Sequence, residues 1–109
     1  MSYKIILSNQ ADEDIRAIYE YIAFDLQSQQ NAAGQINRLE KEILSLDQMP
    51  ERFGKYKSEP WHSRNLRVMP VDNYLVFYIP DHNDQTVNVI RIMYGGRDIS
   101  RQLHETIEW

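Results

Sequence analysis

Cysteine is absent from the 109-residue chain, which excludes disulfide scaffolds, thiol redox chemistry and zinc sites with cysteine ligands. Glycine and proline number four each, and none of them forms a linker, so we predict a single domain over residues 1–109. No apolar run approaches the roughly 20 residues that span a bilayer, and the first apolar run lacks the features of a signal peptide. We therefore expect a cytoplasmic protein without a membrane partner.

Basic residues are also fewer than acidic residues, and the formal net charge is −4. That balance argues against nonspecific binding to nucleic acid. One segment departs from it, because residues 52–67 contain a single acidic residue, Glu59, and five basic residues: Arg52, Lys55, Lys57, Arg64 and Arg67. Such a local patch can meet a phosphate-bearing partner whatever the total charge. The alternative is a solvated loop with scattered bases, and charge alone favours that alternative.

Hydrophobic periodicity predicts a strand and two helices in the first half of the chain. Tyr3 to Leu7 is short, apolar and partly β-branched, as expected of a strand. Apolar residues then recur every three or four positions from residue 11 to residue 26, which predicts an amphipathic helix with Ser8 or Asn9 as its N-cap. A second helix is predicted from about residue 32 to residue 48, and Pro50 marks its end. The two should form an antiparallel hairpin.

In the second half of the chain, apolar and polar residues alternate as they do in β-strands. We predict strands over residues 64–71, 74–79 and 86–94, a polar hairpin loop over 81–85, and a polar tail after Gly95 and Gly96. The order is therefore β-α-α-β-β-β. This order predicts an α+β fold, with a helical hairpin on one face of a mostly antiparallel sheet.

A cationic surface is predicted on the sheet face that the helices leave open. Arg67 and Arg91 are expected to point to that face, Arg97 lies just past the last strand, and Lys55 and Lys57 lie in the loop that leads to it. The apolar residues assigned instead to the helix-covered face are Leu66, Val68, Ile90 and Ile92. Arginine's planar fork suits phosphate. The competing interpretation is that each arginine pairs with a local carboxylate.

The three histidines show no spacing that indicates a metal site, and we expect neither a metal nor a cofactor. His82 falls in the predicted hairpin loop, where solvation alone explains it. His62 lies beside the basic segment and could act as a general base near neutral pH, although loop histidines usually have no such role.

Two stretches and the order of elements resemble a known family. The stretches are Asn65–Tyr78 and Val89–Ile99, and the opening from Ser8 to Tyr21 fits as well. Together they resemble the RelE/ParE superfamily, the toxin halves of bacterial type II toxin–antitoxin pairs, often called plasmid stabilisation proteins. The last-strand signature from Tyr94 through Gly95, Gly96 and Arg97 is closer to the ParE branch.

The resemblance implies one of two targets. RelE-like toxins are endoribonucleases that cut mRNA on the ribosome, whereas ParE-like toxins inhibit DNA gyrase and need no catalytic residue. Arg67 and Arg97 match family arginines, so the resemblance makes them candidate phosphate or target contacts. Lys55 and Lys57 lie where RelE carries its loop lysines. We predict a target-binding role for these two and, from their charge or position, for Arg64, Arg91 and Tyr94. Leu103 stands where RelE has a tyrosine, and leucine cannot take a proton. We therefore favour the ParE-like alternative, and whether the protein is an enzyme stays open.

The resemblance also implies a cognate antitoxin, whose disordered segment folds across the toxin. DNA would be contacted only indirectly, through that antitoxin. The other expected partner is DNA gyrase or, alternatively, the ribosome with its mRNA. A third hypothesis is an inactive toxin that only binds its antitoxin.

Overall fold

The computed structural model describes residues 2–96 and 98–106. It confirms the predicted α+β class and the β-α-α-β-β-β order, and adds a short third helix where a polar tail was expected. The elements are β1 (Lys4–Leu7), α1 (Asn9–Glu20), α2 (Gln29–Leu44), β2 (Arg67–Val71), β3 (Tyr74–Asp81), β4 (Thr86–Tyr94) and α3 (Ile99–His104). None of the described helices is long and apolar enough to cross a membrane.

Serine caps begin both helices of the hairpin. The Ser8 hydroxyl accepts a hydrogen bond from the Ala11 amide at 3.0 Å, and the Ser28 hydroxyl accepts one from the Asn31 amide. Each cap satisfies an amide that the first helical turn would otherwise leave without a partner. A π-helical turn, Tyr21–Asp25, continues α1, so the helical path ends close to the predicted position at residue 26.

The four strands form one sheet in the order β1-β4-β3-β2. β1 runs parallel to β4, and the other neighbours are antiparallel. Because β1 pairs only with residues 86–89, no strand among the described residues pairs with this edge of β4 beyond Val89. The start of α1 closes that edge, since a side-chain oxygen of Asp14 accepts the Ile92 amide at 2.9 Å.

Apolar residues form a core on each face of the sheet. The first core lies between the sheet and the α1–α2 hairpin and includes Leu39, Ile43, Met69, Val76, Tyr78 and Val89. The second core lies on the opposite face and contains Trp61, Leu66, Phe77, Ile90, Met93 and Leu103. Leu103 belongs to α3, so this helix covers a face that was expected to be open.

The predicted assignment of side chains to faces was wrong at three of its four apolar positions. Leu66 and Ile90 lie in the second core and Val68 packs against it, while only Ile92 faces the hairpin. In β4 the cause is a bulge: Phe77 pairs with Arg91 but Tyr78 pairs with Val89, which leaves Ile90 as an extra residue. One extra residue moves every following side chain to the other face.

Candidate functional site

Arg67 lies on the hairpin side of the sheet, where it is bound by oxygen atoms. Its side chain is only 13% exposed. Nη1 donates to the carbonyls of Phe53 at 2.7 Å and Glu51 at 3.2 Å, and Nη2 donates to Asn65 Oδ1 at 3.1 Å and Glu51 Oε2 at 3.3 Å. The geometry therefore gives Arg67 a role in fastening the segment after α2 to β2.

Arg91 lies on the opposite face of the sheet. Its Nε and Nη2 donate to the two carboxylate oxygens of Asp14 at 2.7 and 3.0 Å. Nη1 reaches the Gln102 carbonyl and the Thr106 hydroxyl at the end of α3. The expectation that Arg67 and Arg91 share one open surface is therefore wrong, because each is enclosed on its own face. Arg97 lies outside the described residues.

The exposed positive charge lies on the segment that follows Phe53, and we call residues 54–64 the basic loop. This loop runs along the outer edge of β2, where the Tyr56 amide donates to the Leu66 carbonyl at 2.8 Å and the Val68 amide donates to the Gly54 carbonyl. Lys55, Lys57 and Arg64 are all exposed. Backbone hydrogen bonds therefore hold the start of the basic loop, from which Lys55 and Lys57 project, against the edge of β2.

Two contacts order the far end of the basic loop. The Arg64 guanidinium lies 5.3 Å from the centre of the Trp61 ring, a cation–π distance. Glu59 accepts hydrogen bonds from the hydroxyl and the amide of Ser63. These two bonds, helped by the charges of His62 and Lys55, hold the pKa of the Glu59 carboxyl below its ordinary value. The acid of the loop is thus charged and directed at Ser63.

Tyr94 ends β4 with its ring half exposed and packed edge-to-face on Tyr74, at 5.9 Å between ring centres. Gly96 lies against the same ring, because a Cβ atom built on it would stand 2.8 Å from Tyr94 Cε2. A side chain at this position would displace the ring. The glycine after the last strand thus allows the turn to pack against an exposed aromatic residue.

A cluster that sequence reasoning missed lies at the end of the sheet where β1 begins. The Tyr3 hydroxyl lies 2.6 Å from His82 Nδ1, and His82 Nε2 lies 2.9 Å from Glu51 Oε1. The interpretation of His82 as a merely solvated residue was therefore wrong. The three residues come from the position just before β1, the β3–β4 loop and the turn after α2, so no spacing in the sequence links them.

A shallow cavity of about 420 Å³ opens beside this cluster. Its walls are formed by Tyr3, Met49, Pro50, Glu51, Arg52 and His82. The Arg52 guanidinium is not available to bind a ligand there, because its two terminal nitrogens donate to the Ser45, Gln48 and Met49 carbonyls and to the Ser45 hydroxyl. Nowhere in residues 2–96 and 98–106 do three potential metal-binding side chains come together.

The family of the chain follows from comparison with known proteins. Residues 5–99 match the family model of the ParE toxin of the type II toxin–antitoxin system parDE. The chain belongs to this toxin family, within the RelE/ParE superfamily. Among curated protein sequences none matches the chain significantly.

Solved structures of toxins share the fold at low sequence identity. The chromosomal ParDE system from P. aeruginosa matches with a TM-score of 0.69 at 16% identity, covering 85% of this chain and 96% of that chain. A mutant of E. coli RelE in the free state matches with a TM-score of 0.65 at 14% identity, covering 97% and 94%. The RelBE2 complex from Mycobacterium tuberculosis matches with a TM-score of 0.63 at 16% identity, covering 86% and 92%.

Proposed function

We propose that this toxin inhibits DNA gyrase and that a cognate antitoxin neutralises it. The match of residues 5–99 to the ParE toxin model carries the proposal. Leu103 supports it, because this residue stands where the RelE resemblance places a tyrosine and is only 1% exposed within the second core. A buried leucine supplies no proton acceptor for attack by a ribose hydroxyl.

The hydrogen bonds and ion pairs of Arg67 and Arg91 favour inhibition by binding over catalysis. Arg67 is fixed by carbonyls and Glu51, and Arg91 is fixed by Asp14. Neither guanidinium offers a free fork to a scissile phosphate. A gyrase inhibitor needs only a contact surface, and we assign that surface to Lys55, Lys57 and Arg64 of the basic loop, together with Tyr94 and Arg97.

The α1–α2 hairpin is the proposed docking surface for the antitoxin. A groove of about 610 Å³ between the two helices is lined by Ile15, Arg16, Tyr19, Glu20 and Ile36. Beyond it, Tyr21, Phe24 and Leu26 expose more than half of their surface. Neighbouring exposed apolar side chains of this kind typify a protein-binding surface. An amphipathic segment that folds on binding would cover them.

Two observations favour a second candidate function, ribosome-dependent cleavage of mRNA. RelE from E. coli shares the fold over 97% of this chain. Lys55 and Lys57 are exposed in the loop where the resemblance places RelE's lysines. Under this alternative the basic loop would contact RNA phosphates.

Two assays with the purified toxin decide between the candidates. The first measures supercoiling of a relaxed plasmid by purified gyrase, and the second measures mRNA cleavage by programmed ribosomes. We expect loss of supercoiling with intact mRNA, and antitoxin should restore gyrase activity. Codon-specific cuts at normal supercoiling would establish the alternative. Growth arrest on induction without antitoxin would exclude an inactive toxin.

A further inference from the structure

Tyr3, His82 and Glu51 form a hydroxyl–imidazole–carboxylate chain. At neutral pH a carboxylate only accepts hydrogen bonds, so the 2.9 Å contact places a proton on His82 Nε2. In the neutral imidazole this leaves Nδ1 as the acceptor for the Tyr3 hydroxyl at 2.6 Å. A hydroxyl beside a base that a third group orients is the arrangement of an activated nucleophile.

Arg67 holds Glu51, the carboxylate of the Tyr3–His82–Glu51 triad, in place. It donates to Glu51 Oε2 at 3.3 Å and to the Glu51 carbonyl at 3.2 Å, while Glu51 Oε1 faces His82. Because Arg67 is itself bound to Phe53 and Asn65, it fixes the carboxylate relative to the sheet. We regard Arg67 as a positioning residue for Glu51.

The Tyr3 hydroxyl and its His82 partner are accessible to a small molecule. The His82 side chain is 50% exposed, and the cavity beside it is bounded by the Tyr3 ring and by apolar atoms of Met49 and Pro50. The cavity has a volume of about 420 Å³ and is shallow and open to solvent.

Charge determines which electrophile suits the cavity. Glu51 contributes a negative charge to its wall. The two nearby guanidiniums, Arg52 and Arg67, are hydrogen-bonded to backbone carbonyls. Arg67 also pairs with the Glu51 carboxylate, so the terminal nitrogens of both guanidiniums are already engaged and neither is left to bind a phosphoryl donor. A neutral carbonyl group needs no such cation.

We propose that Tyr3 is a nucleophile that accepts an acyl group from a small, uncharged, activated ester. The Tyr3 oxygen forms a bond to the carbonyl carbon as its proton passes to His82 Nδ1, and the bond from that carbon to the leaving alkoxide or phenoxide breaks. Glu51 stabilises the imidazolium that forms. The products are an O-acyl tyrosine and the leaving group, which takes up the proton from His82 or from solvent according to its basicity.

The test uses 4-nitrophenyl acetate with the intact protein. Release of 4-nitrophenolate is followed by absorbance, and tandem mass spectrometry measures acetylation at each tyrosine. Tyr21 is the matched internal control, since its ring is 51% exposed and no histidine within the described residues is hydrogen-bonded to it. We expect Tyr3 to be acetylated roughly 100-fold faster than Tyr21, the lower end of the gain from general base catalysis.

Two variants then assign the effect. In Tyr3→Phe the acetyl group at position 3 disappears while Tyr21 reacts as before. In His82→Gln the rate at Tyr3 falls to that of Tyr21. Equal acetylation of Tyr3 and Tyr21 in the unaltered protein would overturn the proposal, whether or not either variant folds. So would an unchanged Tyr3 rate in a folded His82→Gln protein.

Discussion

Asp14 binds Arg91 through both of its carboxylate oxygens and accepts the Ile92 amide with one of them. Both side chains of the pair are about 85% buried, with 15% and 14% of their surfaces exposed. The carboxylate thereby joins α1 to the strand edge that β1 leaves uncovered. Through Arg91 the same contact reaches the Gln102 carbonyl and the Thr106 hydroxyl.

Replacing Asp14 by alanine should lower the free energy of unfolding by about 3–5 kcal/mol, because Arg91 is left as an uncompensated buried charge. Urea denaturation followed by circular dichroism measures this. The matched control is Asp12→Ala, which removes an exposed ion pair to Arg16 in the same helix and should cost less than about 1 kcal/mol. Equal losses in the two variants would mean that burial does not strengthen the Asp14 contact.

Arg67→Ala should lower the free energy of unfolding by about 2–3 kcal/mol, since the substitution removes charge-assisted hydrogen bonds to the Phe53 carbonyl and the Glu51 carboxylate. Thermal unfolding and growth arrest are measured on the same variant. A protein of normal stability that no longer arrests growth would contradict the structural role and would instead make Arg67 a target contact.

Replacing both Lys55 and Lys57 by alanine should weaken growth arrest and leave the free energy of unfolding within about 0.5 kcal/mol, because exposed side chains contribute little to stability. The matched control is Lys41→Ala on α2, an exposed lysine distant in sequence from the basic loop. Arg97→Ala is expected to behave like the double variant. Full toxicity of the double variant would remove the basic loop from the proposed target surface.

Tyr78 gives the stability a specific dependence on alkaline pH. Burial raises the pKa of its hydroxyl from 10.0 to about 12, and the hydroxyl donates to the Pro50 carbonyl at 2.6 Å. Because the folded pKa lies above the unfolded one, the contribution of neutral Tyr78 is fully present below about pH 10 and is lost as the pH rises towards 12.

Tyr78→Phe should cost about 1 kcal/mol at pH 7, through the lost hydrogen bond. Between pH 10 and pH 12 the free energy of unfolding should fall less in the variant than in the unaltered protein. The difference between the two falls is at most about 3 kcal/mol. Urea titrations of both proteins across this range measure the difference. Parallel pH profiles would show that the Tyr78 hydroxyl titrates alike in the folded and unfolded chains.

The elements themselves could be read from the sequence because each follows from local spacing. The period of three to four positions and the Ser8 cap predicted α1, and the alternation of residues 86–94 predicted β4 with the bounds the structure has. In β4 the assignment to faces failed at Ile90 because of a bulge, which leaves the composition of a strand unchanged. Leu66 and Val68 do share a face, as their alternation predicted, but alternation does not say which of the two faces the hairpin covers. The short α3 was missed since its six residues carry too few apolar positions to show a period.

The candidate site was less predictable, because its members are brought together by the fold. The exposure of Lys55, Lys57 and Arg64 agrees with the sequence interpretation of a solvated basic segment. The burial of Arg67 and Arg91 follows from partners far away in the chain, Glu51 and Asp14. Likewise, Tyr3 and His82 stand 79 positions apart, and no motif joins them.

The most direct test of gyrase inhibition compares DNA topology and mRNA integrity in one culture. The toxin is induced without its antitoxin, and a reporter plasmid and a reporter mRNA are extracted at the moment growth stops. We predict that the plasmid loses negative supercoiling or carries breaks while the mRNA stays intact, and that coexpressed antitoxin prevents both the damage and the arrest. A normally supercoiled plasmid beside mRNA cut within its codons would contradict the account.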